Sequence, residues 1–83
     1  MTEPMNILKI GFENFVTLKR IVAIVNPSSA PVKRMIKQAR EAGKLIDATS
    51  GKPTRSAILA DSEHIILSSI SPGKLGERME REE

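Results

Sequence analysis

A chain of 83 residues with no cysteine, one histidine and two phenylalanines as its only aromatics forms a single domain, without a disulfide framework and with little vocabulary for a metal centre. Its net charge of +3 is uneven: Met5 to Leu75 holds eleven Lys/Arg against five Asp/Glu, while Glu3 and the segment from Gly76 are together acidic. Folding hides only about 60–65% of the surface of so small a domain, so its own core is marginal and self-association is the remaining source of stability.

Residues 1–5 read as a flexible leader. Glu3 and Pro4 stand where an export signal would be basic, and no run of about 18 apolar residues can span a bilayer. The expected location is therefore cytoplasmic.

Asn6 to Phe12 reads as a strand, with Ile7, Leu8, Ile10 and Phe12 apolar and Gly11 marking a bulge or a close backbone approach. Glu13-Asn14 is the expected turn, and Phe15 to Leu18 a second short strand. Lys19-Arg20 leads into Ile21 to Val25 (IVAIV). That wholly apolar, β-branched run has the pattern of a strand buried on both faces. One helix cannot cover both faces of a sheet, so a neighbouring subunit is expected to cover part of it.

Asn26-Pro27-Ser28 breaks the strand, Ser28 or Ser29 caps a helix, and Pro31 sits in its first turn, where no donor is needed. The helix runs to about Ala42, and Gly43 is a natural left-handed stop. At about 100° per residue, Val32, Met35, Ile36, Ala39 and Ala42 share an apolar face. Lys33, Lys37 and Arg40, with Arg34 beside them, form a basic outer stripe.

Leu45 to Thr49 is the next strand and Ser50 to Arg55 a turn carrying Lys52 and Arg55. Ala57 to Ala60 is a strand, Asp61-Ser62-Glu63 a tight connection, and His64 to Ile70 the last strand. The short links at 50–55 and 61–63 favour antiparallel hairpins. Pro72 starts a weak C-terminal helix with Leu75 and Met79 as docking residues, and 76–83 is a charged tail. The predicted fold is α+β: a mostly antiparallel sheet of about five to six short strands, one central amphipathic helix, and a single folded unit over 6–75.

Catalysis finds little support. His64 stands alone at the mouth of an apolar strand and reads as a structural or surface histidine, since acid–base work needs a positioned partner. Asp47, Asp61 and Glu63 are scattered. Gly51-Lys52 lacks the preceding glycine and the following helix of a phosphate loop. No enzymatic activity and no cofactor are expected.

Nucleic-acid binding fares better. Lys33, Lys37 and Arg40 are placed to neutralise phosphates, although a solvated helix face has the same composition. A flexible loop bearing Lys52 and Arg55 can reach a groove, where Arg pairs with guanine and Lys holds phosphate; the plain alternative is a hairpin turn whose charges keep it soluble. Phe12 and Phe15 both lie in apolar strand contexts. Single-strand binders stack bases on exposed aromatics, so duplex DNA, or RNA read by backbone shape, is favoured.

The blocks Asn6–Phe12, Asn14, Arg20-Ile21, IVNPSSAPVKRMIKQAR, GKLIDATSGKPTR and DSEHIILSSI together resemble the RemA family of extracellular-matrix regulatory DNA-binding proteins, from about Met5 to about Ile70. The resemblance implies a transcriptional regulator of biofilm-matrix genes with a LytTR-like fold. It also implies a homo-oligomeric ring of about seven or eight subunits closed by head-to-tail contacts. DNA would wrap on the ring through repeated basic side chains. The family's arginine after the second strand matches Arg20, and its proline in the SAP segment matches Pro31. Its loop usually presents two adjacent arginines after the glycine. Lys52 and Pro53 stand there, keeping one charge without the guanidinium fork and losing the other. Ser50 stands where a tyrosine often precedes that glycine, and Thr54-Arg55 is retained. The expected DNA contacts are Arg20, Lys52 and Arg55, with Lys33, Lys37 and Arg40 as lesser candidates. The rival readings are a ring-forming scaffold that recruits an acidic partner, and an RNA-binding protein.

Overall fold

A computed structural model describes residues 6–81. The expected leader and the last two residues lie outside that range. The chain begins with a hairpin of β1 (Ile7–Gly11) and β2 (Asn14–Thr17), paired Leu8 to Val16 and Lys9 to Phe15. Alternation along β1 turns Leu8 and Ile10 inward, at 0% and 2% exposure. The register shifts at Gly11, whose φ of 111° suits glycine alone, so the expected bulge is present. The turn falls one residue earlier than expected, on Phe12-Glu13, and the second strand starts at Asn14 and ends at Thr17. Leu18–Arg20 form a single 3₁₀ turn.

Four further strands make one sheet: β3 (Ile21–Val25), β4 (Leu45–Asp47), β5 (Ser56–Ala60) and β6 (Ile65–Ser68), in the order β3-β5-β6-β4. The β3/β5 and β5/β6 pairs are antiparallel; β4 runs parallel to β6. Two expectations change here. The apolar run of β3 lies at an edge, not the centre: none of its residues is fully buried and Val22 is 67% exposed. The strands buried on both faces are the central pair β5 and β6: Ala57, Ile65 and Leu67 are buried on one face, and Ile58 and Ile66 on the other. Secondly, 50–55 is not a hairpin turn. It carries the chain past the end of β6, which lies between β4 and β5. The 61–63 link does close a hairpin, with Glu63 at φ 72° and its N–H donating to Ala60 O at 3.0 Å.

Helix α1 (Ala30–Glu41) covers one face of the sheet. Asn26 Oδ1 accepts from Ser28 N and Ser28 Oγ, which turns the chain out of β3. Ser29 caps the helix, its Oγ accepting from Val32 N at 3.4 Å. At the other end, Lys44 N donates to Ala39 O and Gly43 N to Arg40 O around a left-handed Gly43, the bonding of a Schellman motif. Ala39 is buried with Ala57, Ile65 and Leu67, and Val32 and Ile36 pack beside them. Met35 and Ala42, expected on the same face, are exposed.

The β1/β2 hairpin and α2 (Pro72–Arg81) cover the opposite face. Leu8, Ile10, Ala48, Ile58, Ile66 and Leu75 form that core, with Met79 against it. Leu75 is fully buried, and Arg78 Nη1 donates to Lys9 O at 2.8 Å. Residues 76–81 thus continue a docked helix rather than starting a tail. The second face of the sheet is covered from within the chain.

Candidate nucleic-acid interface

The loop from Ala48 to Arg55 is short of regular structure but well anchored. Ala48 N donates to Leu67 O at one end, and Arg55 N to Ser68 O at the other. Asp47 Oδ1 accepts from both Thr49 N (2.9 Å) and Thr49 Oγ1 (2.6 Å). These two bonds from Thr49, with the nearby charge of Arg40, hold the Asp47 carboxyl below its ordinary pKa against a small opposing effect of burial. Ser50 and Gly51 then take φ of 53° and 83°, and Lys52 N donates to Thr49 O across them. This tight turn throws Lys52, Pro53 and Arg55 outward. Together with Phe12 and Ser69 they line a shallow cleft of about 210 Å³. Lys52 and Arg55 are exposed and form no ion pair among the described residues.

Arg20 is elsewhere. Its Nε donates to Asp61 Oδ1 at 2.7 Å, and its carbonyl accepts from Asp61 N at 2.9 Å. Asp61 follows the last residue of β5, whereas Arg55 precedes the first. The five residues of β5 separate the two, six steps of extended chain or about 20 Å. Within one subunit, therefore, Arg20 does not join Lys52 and Arg55 in one cluster.

Lys33, Lys37 and Arg40 are exposed on the outer face of α1, with Arg34 exposed beside them. From Lys33 to Arg40 the stripe spans about 10 Å of helix. It occupies the layer beyond the sheet from the β1/β2 hairpin, apart from the Phe12 cleft.

Two apolar surfaces open on opposite faces of the sheet, and both reach Ala60 at its 61–64 end. On the α1 face, Val22 and Met35 open onto a concavity of about 420 Å³. On the hairpin face, Phe15 and Ile46, 52% and 48% exposed, open onto one of about 400 Å³.

Sequence reasoning missed Phe12 and misjudged Phe15. Both were expected inside apolar strands, and both are about half exposed. Continued alternation would have put Phe12 on the inward face with Leu8 and Ile10. The bulge at Gly11 ends that alternation. The signal available was Asn14, whose Nδ2 donates to Gly11 O at 3.0 Å and so brackets Phe12-Glu13 as the turn. His64 shares a 2.8 Å hydrogen bond with Ser62 Oγ inside the 61–64 turn, a local contact between neighbours. Among the described residues no group of three or more His, Cys, Asp or Glu is placed to hold a metal, and no helix is long and apolar enough to cross a membrane.

Comparison with known proteins places this geometry in a family. The family model described as RemA-like, extracellular matrix regulatory protein A-like, matches residues 7–79. A protein of Oleidesulfovibrio alaskensis is 48% identical over 98% of this chain and 96% of its own. One from Acetivibrio thermocellus is 51% identical over 95% and 85%, and one from Halothermothrix orenii 49% identical over 95% and 94%. All three bear the name "Putative regulatory protein". The match runs from the first residue of β1 to Met79 in α2, so the hairpin, the sheet, both helices and the 48–55 loop are all inside it: the chain belongs to the RemA-like family of regulatory proteins.

Proposed function

We propose that this protein is a cytoplasmic, homo-oligomeric regulator of transcription that binds double-stranded DNA, with extracellular-matrix genes as its targets. The observation that carries the reading is the 48–55 loop. It is tied by main-chain bonds at both ends to β6, and it presents Lys52 and Arg55 outward, with no carboxylate among the described residues paired to them. An exposed cation held in place but left unpaired is suited to a phosphate. The regulatory naming of the relatives and the family supports the role in transcription.

Oligomerisation is supported by the two apolar concavities. They differ in composition and open on opposite faces of the sheet, so one face of a subunit can meet the other face of the next. Such head-to-tail contact closes into a ring when the rotation allows. In a ring, the roughly 20 Å between Arg20 and Arg55 ceases to be a defect, because a wrapped duplex meets both sites repeatedly and gains avidity. Duplex DNA is favoured over a single strand because Phe12 and Phe15 line separate clefts and form no continuous stacking platform.

The test is DNA binding at two salt concentrations on protein whose mass has been fixed by light scattering. An oligomer whose affinity falls steeply with salt supports the reading, each neutralised phosphate adding about 0.9 to the log–log slope. An oligomer that binds no DNA at low salt overturns it and leaves the scaffold.

A further inference from the structure

Phe12 stands out among the apolar side chains. It occupies the first central position of the β1/β2 turn at φ 53°, with Glu13 beside it at 64°. Left-handed backbone is easy for glycine and tolerable for asparagine, but a bulky residue there is strained. Strain of this kind persists only where the surroundings impose it, and it gathers at functional sites. The fold gains little burial in return: Phe12 is 49% exposed while Ile10 and Leu8, two and four positions back, are sealed in the core.

The turn is firmly held. Asn14 Nδ2 bonds Gly11 O, and Ser68 Oγ donates to Ile10 O at 2.8 Å, joining the hairpin to the end of β6. Phe12 is thus an aromatic ring on a stiff two-residue tip, lining the same cleft as Lys52, Pro53, Arg55 and Ser69. Phe15 has different company. It lines a concavity with Ile46 and Ile66, and the cation of that concavity, Arg20, is already paired with Asp61.

We infer that Phe12 is an apolar wedge that enters the base stack of bound duplex DNA from the minor groove, with Lys52 and Arg55 holding the adjacent phosphates. The inference rests on the DNA-binding reading above and adds a residue and a mode of contact to it. An apolar side chain inserted at a base step unstacks it and bends the duplex, and the bend brings more phosphates onto the protein. Pyrimidine–purine steps unstack most readily, so the wedge would supply a sequence preference without reading base edges.

The test uses a duplex of about 30 base pairs, a length in which bending is measurable, labelled at its ends with a fluorescence donor and acceptor. Three variants are compared with the wild type: Phe12→Asn, Phe12→Leu and the double substitution Lys52→Ala/Arg55→Ala. Asparagine accepts the left-handed turn, so Phe12→Asn removes the ring without unmaking the hairpin. Phe12→Leu keeps an apolar wedge. The expected result is that wild type draws the ends together. Phe12→Asn should keep oligomer mass and salt slope but lose the bend and about tenfold in affinity, and Phe12→Leu should fall between. Phe12→Asn that bends and binds like wild type overturns the wedge while leaving the regulator reading intact. So does Phe12→Asn with altered oligomer mass, which would make Phe12 a subunit contact. Wild type that binds no duplex at low salt overturns both.

Discussion

The two ends of β5 carry the same kind of residue in opposite electrostatic states. At the Asp61 end, Arg20 is clasped by a carboxylate at 2.7 Å and by a main-chain bond, and Lys44 reaches Glu63 at 3.3 Å nearby. At the Ser56 end, Lys52 and Arg55 have their backbone fixed and their charges unmatched among the described residues. A fixed backbone with an unmatched charge is preorganised for an outside anion, whereas a charge already paired must give up its partner first. The family resemblance treats Arg20 and the loop as parallel DNA contacts. The structure separates them by this difference.

Substitutions at the two ends, and a change of pH, sharpen that contrast. The largest effect is expected from Lys52→Ala/Arg55→Ala, which should cut DNA affinity by on the order of tenfold or more and lower the salt slope, in fluorescence anisotropy titrations. Thermal stability should stay unchanged, because neither side chain is buried or in an ion pair among the described residues. Equal losses of affinity and stability would show that the loop charges are structural.

Ser68→Ala comes next. Ser68 Oγ donates to Ile10 O and accepts from Ile70 N at 3.1 Å, and the residue is fully buried. Its loss leaves buried backbone groups unpaired, at a cost of about 1–3 kcal/mol in denaturant unfolding. Ser56→Ala, by contrast, removes a buried hydroxyl that has no partner, directly across the β5/β6 pair from Ser68. It should be neutral or stabilising. That serine is the control for the first.

Asp61→Asn addresses the other end. It frees Arg20 and removes a negative charge, so binding should tighten by about twofold to fivefold if Arg20 reaches a phosphate in the assembly. Stability should move by less than about 1 kcal/mol, because both side chains are about half exposed. Unchanged affinity in the same titration would confine DNA contact to the loop end.

The smallest effect concerns acid. The folded Asp47 carboxyl titrates below its unfolded value, so its contribution is complete above about pH 4 and is lost as pH falls through the lower folded value. Limited proteolysis within 48–55 should accelerate at that point in wild type. Asp47→Ala should be cleaved readily at every pH, and a variant as resistant as wild type at neutral pH would discount the Thr49 clasp.

Much of this was legible in the residues. Ser29, Pro31 and Gly43 marked α1 because each satisfies a local requirement, a cap, a donor-free first turn and a left-handed stop, that no distant contact needs to supply. Leu75 was readable as a docking residue from its place near the start of a polar helix. Ile21 to Val25 misled because hydrophobicity reports what a strand touches on its faces, not who pairs along its edges. Phe12 misled although Gly11 had marked a bulge: the expected strand was carried through that bulge to Phe12, where the chain instead leaves the strand and turns.

The amino-acid sequence alone determined the α+β class, the extent and polarity of α1, the basic character of the chain and its membership of a family, since these rest on local periodicity, caps and matched blocks. Only the tertiary structure decided that β5 and β6 are the central strands, that the 48–55 loop passes the end of β6, and that among the described residues Arg20 is paired while Lys52 and Arg55 are not. Those outcomes depend on which distant segments share hydrogen bonds and charges, and a partner tens of residues away leaves no mark on the local pattern.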